Sequence, residues 1–149
     1  MATSSINIRN KKARYEYTFL EKFSAGIQLL GTEIKSLRNG KVSIAEAYCH
    51  IKNGELYIKS MHIAEYDPAS YNNHEPLRER KLLLKRIELN KLEKKLKNKG
   101  LTIIPLRVYI NENGYAKIDI ALAQGKKIHD KRDSLKEKDL KREIDRLQD

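Results

Sequence analysis

Apolar and polar residues alternate with a period of two in several short segments of the chain. Residues 15–22 follow this pattern, which predicts a β-strand. Two more alternating segments, 48–52 and 55–59, flank Asn53-Gly54. Because Asn-Gly between alternating segments is the strongest short-range signal for a β-hairpin, these segments are expected to pair.

A second hairpin is predicted around Asn113-Gly114, where three apolar residues share one face of each strand: Leu106, Val108 and Ile110 on one, Ile118, Ile120 and Leu122 on the other. Pro105 has no backbone N–H, which predicts that the first of these strands begins near residue 106 or lies at a sheet edge. Strands separated only by short helices favour a mainly β, antiparallel barrel or sandwich over a parallel α/β sheet.

Two segments have the period of a helix. The first covers residues 33–38, with Thr32 as its N-cap and Asn39-Gly40 at its end. The second covers about 86–99, with leucines along one face and Gly100 at its end.

Both ends of the chain are predicted to lie outside the barrel. Residues 1–14 contain four basic residues and no acidic one, which indicates a flexible basic arm. Residues 126–149 contain nine basic and seven acidic residues, too polar to build a core, although Ser134 and Glu137 have the spacing of a capping box. An isolated helix of about 15 residues is marginal in water. We therefore expect an arm (1–14), a barrel (15–125), and a tail (126–149) that is disordered when free and helical when docked.

The charge of the chain predicts a polyanionic partner. The net charge is +11, and residues 1–125 carry +9 of it, since they hold 22 of the 31 basic and 13 of the 20 acidic residues. Nucleic acid is favoured, and an anionic membrane surface less so. No apolar run reaches the roughly 20 residues that span a bilayer. Without a signal-peptide pattern and with a single cysteine, the chain is predicted to be cytoplasmic.

Basic residues form three separated clusters, which suggests an extended polyanion. They are residues 78–99, with ten basic and three acidic residues; Lys35, Arg38 and Lys41; and Lys126, Lys127, Lys131 and Arg132. The lysines of the 86–99 helix either contact phosphates or form a solvated helix face. Four tyrosines either stack on unpaired bases or complete the core with the hydroxyl at its rim: Tyr15, Tyr17, Tyr57 and Tyr109.

Catalytic chemistry is not indicated. The four histidines are scattered without metal-ligand spacing, and Cys49 lies inside a predicted strand. No glycine-rich phosphate loop and no Gly-x-Ser-x-Gly motif is present. Neither an enzyme nor a metal or cofactor is therefore expected.

Four stretches together resemble one family, the SsrA-binding protein SmpB, the partner of transfer-messenger RNA (tmRNA) in bacterial trans-translation. They are AGIQLLGTEIKSLR (25–38), NHEPLRERKLLL (73–84), GKKIHDKR (125–132) and KREI (141–144). The resemblance implies an antiparallel oligonucleotide-binding-fold-like barrel with about three short helices. The sequence departs from the family pattern at Ser24, where an acidic residue is usual, and at Lys85-Arg86-Ile87.

The resemblance also implies a function in ribosome rescue. Such a protein binds the tRNA-like domain of tmRNA and helps deliver it, with the elongation factor EF-Tu, to a stalled ribosome. Its tail then enters the decoding centre and the empty messenger channel, where it contacts ribosomal RNA. Two other interpretations of the same basic barrel are a ribosomal or generic RNA-binding protein and an RNA-modifying enzyme.

Carried onto this sequence, the resemblance implies two sets of site residues. The RNA-binding set is Lys12, Tyr17, Lys35, Ser36, Arg38, Arg80, Lys81, Leu83 and Lys85. The ribosome-binding set is Gly125, Lys126, Lys127, His129, Asp130, Lys131, Arg132, Lys138, Lys141 and Arg142. In these sets the basic side chains hold phosphates, Leu83 packs on a displaced base, and His129 stacks on a base of the decoding centre.

Overall fold

The computed structural model describes residues 6–66 and 73–125. Within these residues the chain forms nine strands and three helices: β1 (Asn7–Arg9), α1 (Ala13–Glu16), β2 (Tyr17–Ile27), α2 (Gly31–Arg38), β3 (Val42–Ser43), β4 (Tyr48–Lys52), β5 (Glu55–Lys59), β6 (His62–Ile63), β7 (Arg80–Leu83), α3 (Arg86–Lys95), β8 (Leu101–Ile110) and β9 (Ala116–Gly125). In this part of the chain, no helix is long and apolar enough to cross a membrane.

The large sheet closes into a barrel. Its strand order is β1-β8-β4-β5-β7-β2-β9, and β8 also pairs with β9, so six of the strands form a ring while β1 adds to β8 from outside. All these pairings are antiparallel, and β3 pairs separately with β6. The predicted antiparallel barrel with about three short helices is confirmed.

Both predicted hairpins are present. Strands β4 and β5 pair from Tyr48↔Lys59 to Lys52↔Glu55. Between them Asn53 and Gly54 both have positive φ, 54° and 76°, as a type I′ turn requires. The second hairpin joins β8 to β9 through residues 111–115, where the Gly114 N–H donates to the Asn111 carbonyl at 3.0 Å.

Strands β2 and β8 each contain a bulge, which reverses the faces to which their side chains point partway along the barrel. Along β9 the partners change from Phe19↔Ala123 to Glu21↔Leu122 on one side, and from Pro105↔Ile120 to Arg107↔Asp119 on the other. Leu20 and Leu106 are therefore extra residues, and each strand presents its opposite face beyond that point.

The bulge in β8 corrects two predictions. Leu106 packs in a second apolar cluster with Ile104, while Val108 lies in the main core, so the predicted shared face is wrong for Leu106. The strand begins at Leu101 and not near residue 106. Pro105 is tolerated inside the strand because the bulge interrupts the hydrogen-bond ladder beside it.

Residues 6–14 are not the mobile arm that the sequence predicts for 1–14. Asn7–Arg9 pair with β8, and Ile8 packs against the barrel core. The Asn10 side chain donates to the Pro105 carbonyl at 3.0 Å. A single helical turn follows, with Ala13 buried, and it places Tyr15 in α1, so the predicted strand begins two residues later, at Tyr17.

The helix ends also differ from the prediction. Helix α2 begins at Gly31 after Leu30, because Thr32 is occupied elsewhere: its hydroxyl shares a 2.8 Å hydrogen bond with Nδ1 of the buried His74. Helix α3 ends at Lys95 and not near residue 99. Leu96, the C-cap residue, packs against the core, and no apolar residue follows it before Gly100 to hold another turn.

Candidate nucleic-acid interface

A groove of about 820 Å³ lies between α1 and the exposed faces of β2, β8 and β9. We call it the arm groove. Its cationic lining residues are Arg9, Lys11, Arg14, Lys22 and Arg107; the others are Asn10, Tyr15, Phe19, Phe23, Ser24, Leu106 and Asp119. With five basic side chains and one acidic one, the groove attracts a polyanion.

The rim of the arm groove is basic because the N-terminal segment folds back along β8. Arg9 ends β1, and Lys11 and Arg14 follow in the turn that leads through α1. Lys22 faces them from the exposed side of β2, 5.9 Å from the Phe19 ring centroid. Tyr15 is 76% exposed, so a large aromatic face is available beside these charges. Cations next to an accessible ring suit phosphates and stacked bases.

Ser24, Arg107 and Asp119 form a polar cluster at the floor of the arm groove, and Tyr109 contacts this cluster from outside the groove lining. The Arg107 Nε donates to Asp119 Oδ2 at 2.7 Å, and its guanidinium lies 4.1 Å from the centroid of the Tyr109 ring. The hydrogen bond to Asp119 raises the pKa of Arg107 above its ordinary value. The Ser24 and Tyr109 hydroxyls are 3.3 Å apart.

Lys12 and Tyr17, two of the predicted RNA-binding residues, are not among the residues that line this groove. Lys12 is exposed, and its Nζ forms a 3.4 Å ion pair with Glu46. Tyr17 is half-buried against the second apolar cluster, which fits the interpretation of a ring that completes the core. A Cβ on Gly125 would lie 3.7 Å from the Tyr17 ring, in ordinary contact.

A second basic surface lies on α2, where Lys35 and Arg38 are exposed as the sequence predicts. The Lys35 Nζ lies 5.3 Å from the ring centroid of Tyr66, a cation–π contact. Ser36 faces inward and is buried, so a direct contact of its hydroxyl with RNA is excluded in this structure.

Arg80 is also misassigned by the sequence prediction. Its guanidinium is completely buried, forms an ion pair with Glu33, and donates to the carbonyls of Met61 at 2.6 Å and Pro76 at 3.1 Å. Arg78 donates to the same carboxylate at 2.6 Å. Arg80 therefore ties α2 to β7 from inside and cannot contact a phosphate.

The buried carboxylate at the centre of this network is held in its charged form. Burial alone would raise the pKa of Glu33, but hydrogen bonds from Arg78 and the Leu30 N–H, with the charge of Arg80, place that pKa below its ordinary value. Burial also lowers the pKa of Arg80, and Glu33 opposes that shift. An ion pair of this kind contributes only while both partners remain charged.

The remaining RNA-binding candidates lie on β7 and at the start of α3. Lys81 is half-buried and pairs with Glu55 at 3.5 Å. Leu83 is 47% exposed and close to Gly26, where an added Cβ would be 3.5 Å away. Lys85 is exposed at the N-cap of α3. Lys81 and Lys85 thus keep access to solvent, and Leu83 offers an apolar surface.

The lysine-rich helix α3 is partly neutralised. Lys91 and Lys95 donate to the two oxygens of Glu21 at 2.5 and 2.7 Å, and these hydrogen bonds, that of Lys91 first, lower the pKa of Glu21. These two lysines join α3 to β2 through Glu21, so their charges are not free for phosphate contact. Lys94 remains exposed and has no ion pair within the described residues.

Of the predicted ribosome-binding residues, the structure describes one. Gly125 ends β9 and is the partner of Tyr17. The other nine, from Lys126 to Arg142, lie outside the described residues. Within 6–66 and 73–125, no cluster of His, Cys, Asp and Glu could hold a metal ion.

The prediction missed most of the arm groove. Arg9, Lys11 and Arg14 are conspicuous as a run of charge, but the sequence carries no signal that this run folds against β8. Lys22 and Arg107 occupy polar positions of alternating strands, and only the bulges bring them to one surface.

Fold and groove together define a class of protein: a small antiparallel β-barrel with a cationic groove that is partly lined by aromatic rings. The chain belongs to the SmpB protein family, whose sequence model matches residues 7–149. It is 59% identical over 143 residues to the SsrA-binding protein of Cytophaga hutchinsonii, covering 96% of this chain and 94% of that protein. It is 57% identical over 147 residues to the SsrA-binding protein of Phocaeicola vulgatus, covering 99% and 98%.

A solved structure has the same fold. The chain matches one from "tmRNA-SmpB: a journey to the center of the bacterial ribosome" with a TM-score of 0.70 and 48% identity, over 83% of this chain and 87% of that one.

Proposed function

We propose that this protein is an RNA-binding adaptor of trans-translation, which binds the tRNA-like domain of tmRNA through the arm groove. The observation that carries the proposal is the groove itself: five basic side chains and the exposed Tyr15 surround one depression. Membership in the SmpB family and the names of its relatives supply the identity of the RNA.

The positions of the charges assign different roles to different parts of the interface. Basic residues at the rim hold phosphates without regard to sequence, and Tyr15 provides a face for an unpaired base. Lys35 and Arg38 on α2, with Lys81 and Lys85, form a second surface that extends contact along the same RNA. Arg80 and Ser36 support that surface from beneath it.

Further steps of the function depend on the tail. After binding, the protein delivers tmRNA with EF-Tu to ribosomes that have stalled in the bacterial cytoplasm. The segment 125–142 then engages ribosomal RNA at the decoding centre and in the empty messenger channel, and the protein acts without catalysis of its own. A tail with nine basic and seven acidic residues can lie against phosphates and still not fold before it docks.

The groove assignment is tested by charge reversal. The double variant Arg14→Glu/Lys22→Glu places two negative charges on the rim, and Lys52→Glu/Lys97→Glu makes the same change at exposed positions outside the groove. Binding of the tRNA-like domain and of a hairpin RNA of equal length is measured across a salt series. The groove variant should lose at least tenfold more affinity than its control, and the slope of log affinity against log salt should fall by about two.

Two results would contradict the proposal. Equal losses in both double variants would mean that total charge, and not the groove, determines binding. Equal affinity of the unaltered protein for the two RNAs would favour a generic RNA-binding protein of the same fold.

A further inference from the structure

The floor of the arm groove holds one carboxylate in an otherwise cationic setting. Asp119 is the only acidic residue among the described residues that line the groove, and its side chain is 26% exposed. Its Oδ2 accepts the 2.7 Å hydrogen bond from Arg107. Its Oδ1 accepts one from the Tyr109 hydroxyl at 3.5 Å, the outer limit for such a bond. Because an ionised carboxylate accepts up to about four hydrogen bonds, Oδ1 keeps acceptor capacity.

The charge of Asp119 determines what can bind there. A phosphate is repelled by a carboxylate at contact distance. Arg107 does not reverse this effect, because its charge is balanced by the same carboxylate and its guanidinium lies over the Tyr109 ring. An RNA group that reaches Asp119 must therefore be a hydrogen-bond donor, either a base N–H or a ribose 2′-hydroxyl.

The surroundings of Asp119 suit a nucleotide. Ser24 is its direct partner across β2 and β9. Because the Tyr109 hydroxyl donates its one proton to Asp119, the Ser24 hydroxyl donates to the Tyr109 oxygen at 3.3 Å, and both oxygens keep acceptor capacity beside Asp119. Tyr15 and Phe19 line the same groove and offer ring faces for a base. An acceptor next to ring faces is the combination by which proteins recognise unpaired bases.

We propose that Asp119 is a specificity-determining residue, whose Oδ1 accepts a hydrogen bond from a base N–H or a 2′-hydroxyl of an unpaired nucleotide in the arm groove. This inference rests on the proposed function, since it needs RNA in that groove. The basic rim supplies affinity for any RNA, and Asp119 supplies the preference for the tRNA-like domain over other RNAs.

The variant Asp119→Asn separates this role from a purely electrostatic one. If Asp119 acted only through its charge, its removal would strengthen binding to every RNA. In the variant, the single amide oxygen accepts the hydrogen bond from Arg107, so the NH₂ group faces the groove. This group is a donor, and it cannot form a hydrogen bond with the donor group of the RNA. Affinity for the tRNA-like domain should fall about tenfold, while affinity for the control hairpin stays unchanged or rises. Glu93→Gln, the same charge change at an exposed position of α3, should not lower either affinity.

Altered RNAs test the contact on the unaltered protein, so the test does not depend on the stability of Asp119→Asn. In one set, single unpaired nucleotides carry 2′-deoxyribose. In the other, the base lacks one N–H donor, for example inosine in place of guanosine. One RNA substitution should lower the affinity of the unaltered protein about tenfold and leave the affinity of Asp119→Asn almost unchanged. The reason is that the RNA substitution and the protein variant remove the same hydrogen bond. The set that contains it identifies the donor as ribose or base.

The inference is overturned if Asp119→Asn strengthens binding to both RNAs alike, or if no substitution distinguishes the two proteins. In either case a preserved preference of the unaltered protein for the tRNA-like domain leaves the proposed function intact. Loss of that preference would instead reject the function itself.

Discussion

Arg38 and Arg80 carry the same side chain in opposite surroundings. Arg38 is exposed at the end of α2, whereas Arg80 is enclosed by Glu33 and two backbone carbonyls. Both belong to basic clusters in the sequence, and charge alone predicts the same RNA-binding role for each. The difference depends on a contact between Glu33 and Arg80, residues 47 positions apart, which only the folded chain reveals.

The Glu33 network leads to a prediction about stability. Glu33→Gln leaves the buried Arg80 without its counter-charge, so the free energy of unfolding should fall by about 3 kcal/mol at pH 7. Denaturant unfolding measures the change, with the exposed Glu93→Gln as the matched control, which should differ from the unaltered protein by less than about 0.5 kcal/mol. An equally stable Glu33→Gln protein would contradict a role for this ion pair in holding α2 to β7.

The same network predicts a pH dependence. The pKa of Glu33 is lowered in the folded state from an ordinary value of 4.5. The folded state therefore binds fewer protons here than the unfolded state does, and stability from this group is fully present above about pH 4.5 and is lost as the pH falls through the lower folded pKa. The stability difference between the unaltered protein and Glu33→Gln should shrink over that range. A difference that stays constant down to pH 3 would exclude this linkage.

At the scale of elements, local signals predicted what depends on local chemistry. Asn53-Gly54 identified its hairpin because both residues adopt the positive φ of that turn. The bulges at Leu20 and Leu106 were not predictable, since they depend on how β9 is shared between two neighbours. Strand β1 was missed for a similar reason: three residues form a strand only where β8 offers a free edge.

The attachment of β1 gives a prediction at this scale. The Asn10 side chain donates to the Pro105 and Ile44 carbonyls at 3.0 and 3.4 Å, and its backbone N–H donates to Leu106 at 2.8 Å. Asn10→Ala removes the two side-chain bonds, so hydrogen exchange at Asn7–Arg9 should accelerate while β4 and β5 stay protected. RNA affinity should fall several-fold, because the rim residues next to Asn10 lose their fixed positions.

Asn90→Ala, at an exposed position of α3, is the matched control and should leave both exchange and affinity unchanged. Faster exchange in β1 with unaltered RNA affinity would show that the rim does not need a fixed arm.

At the scale of the whole molecule, the net charge is distributed unequally between residues 1–125 and the tail. Residues 1–125 carry +9 of the net +11, so most of the attraction for RNA belongs to the barrel. A chain that ends at Gly125 keeps every described strand and helix, including the final pairing of Gly125 with Tyr17. It should bind the tRNA-like domain within about threefold of the full-length affinity, since it retains both basic surfaces.

The same truncated chain should fail in peptide tagging on stalled ribosomes, because the segment proposed to occupy the decoding centre is gone. A full-length variant with Lys126, Lys127, Lys131 and Arg132 changed to glutamine tests the charges of that segment while keeping its length, and it should also bind the RNA but tag poorly. Tagging by the truncated chain at the full-length rate would remove the tail from the mechanism. A large loss of RNA affinity on truncation would instead move RNA capture from the barrel to the tail, against the distribution of charge along the chain.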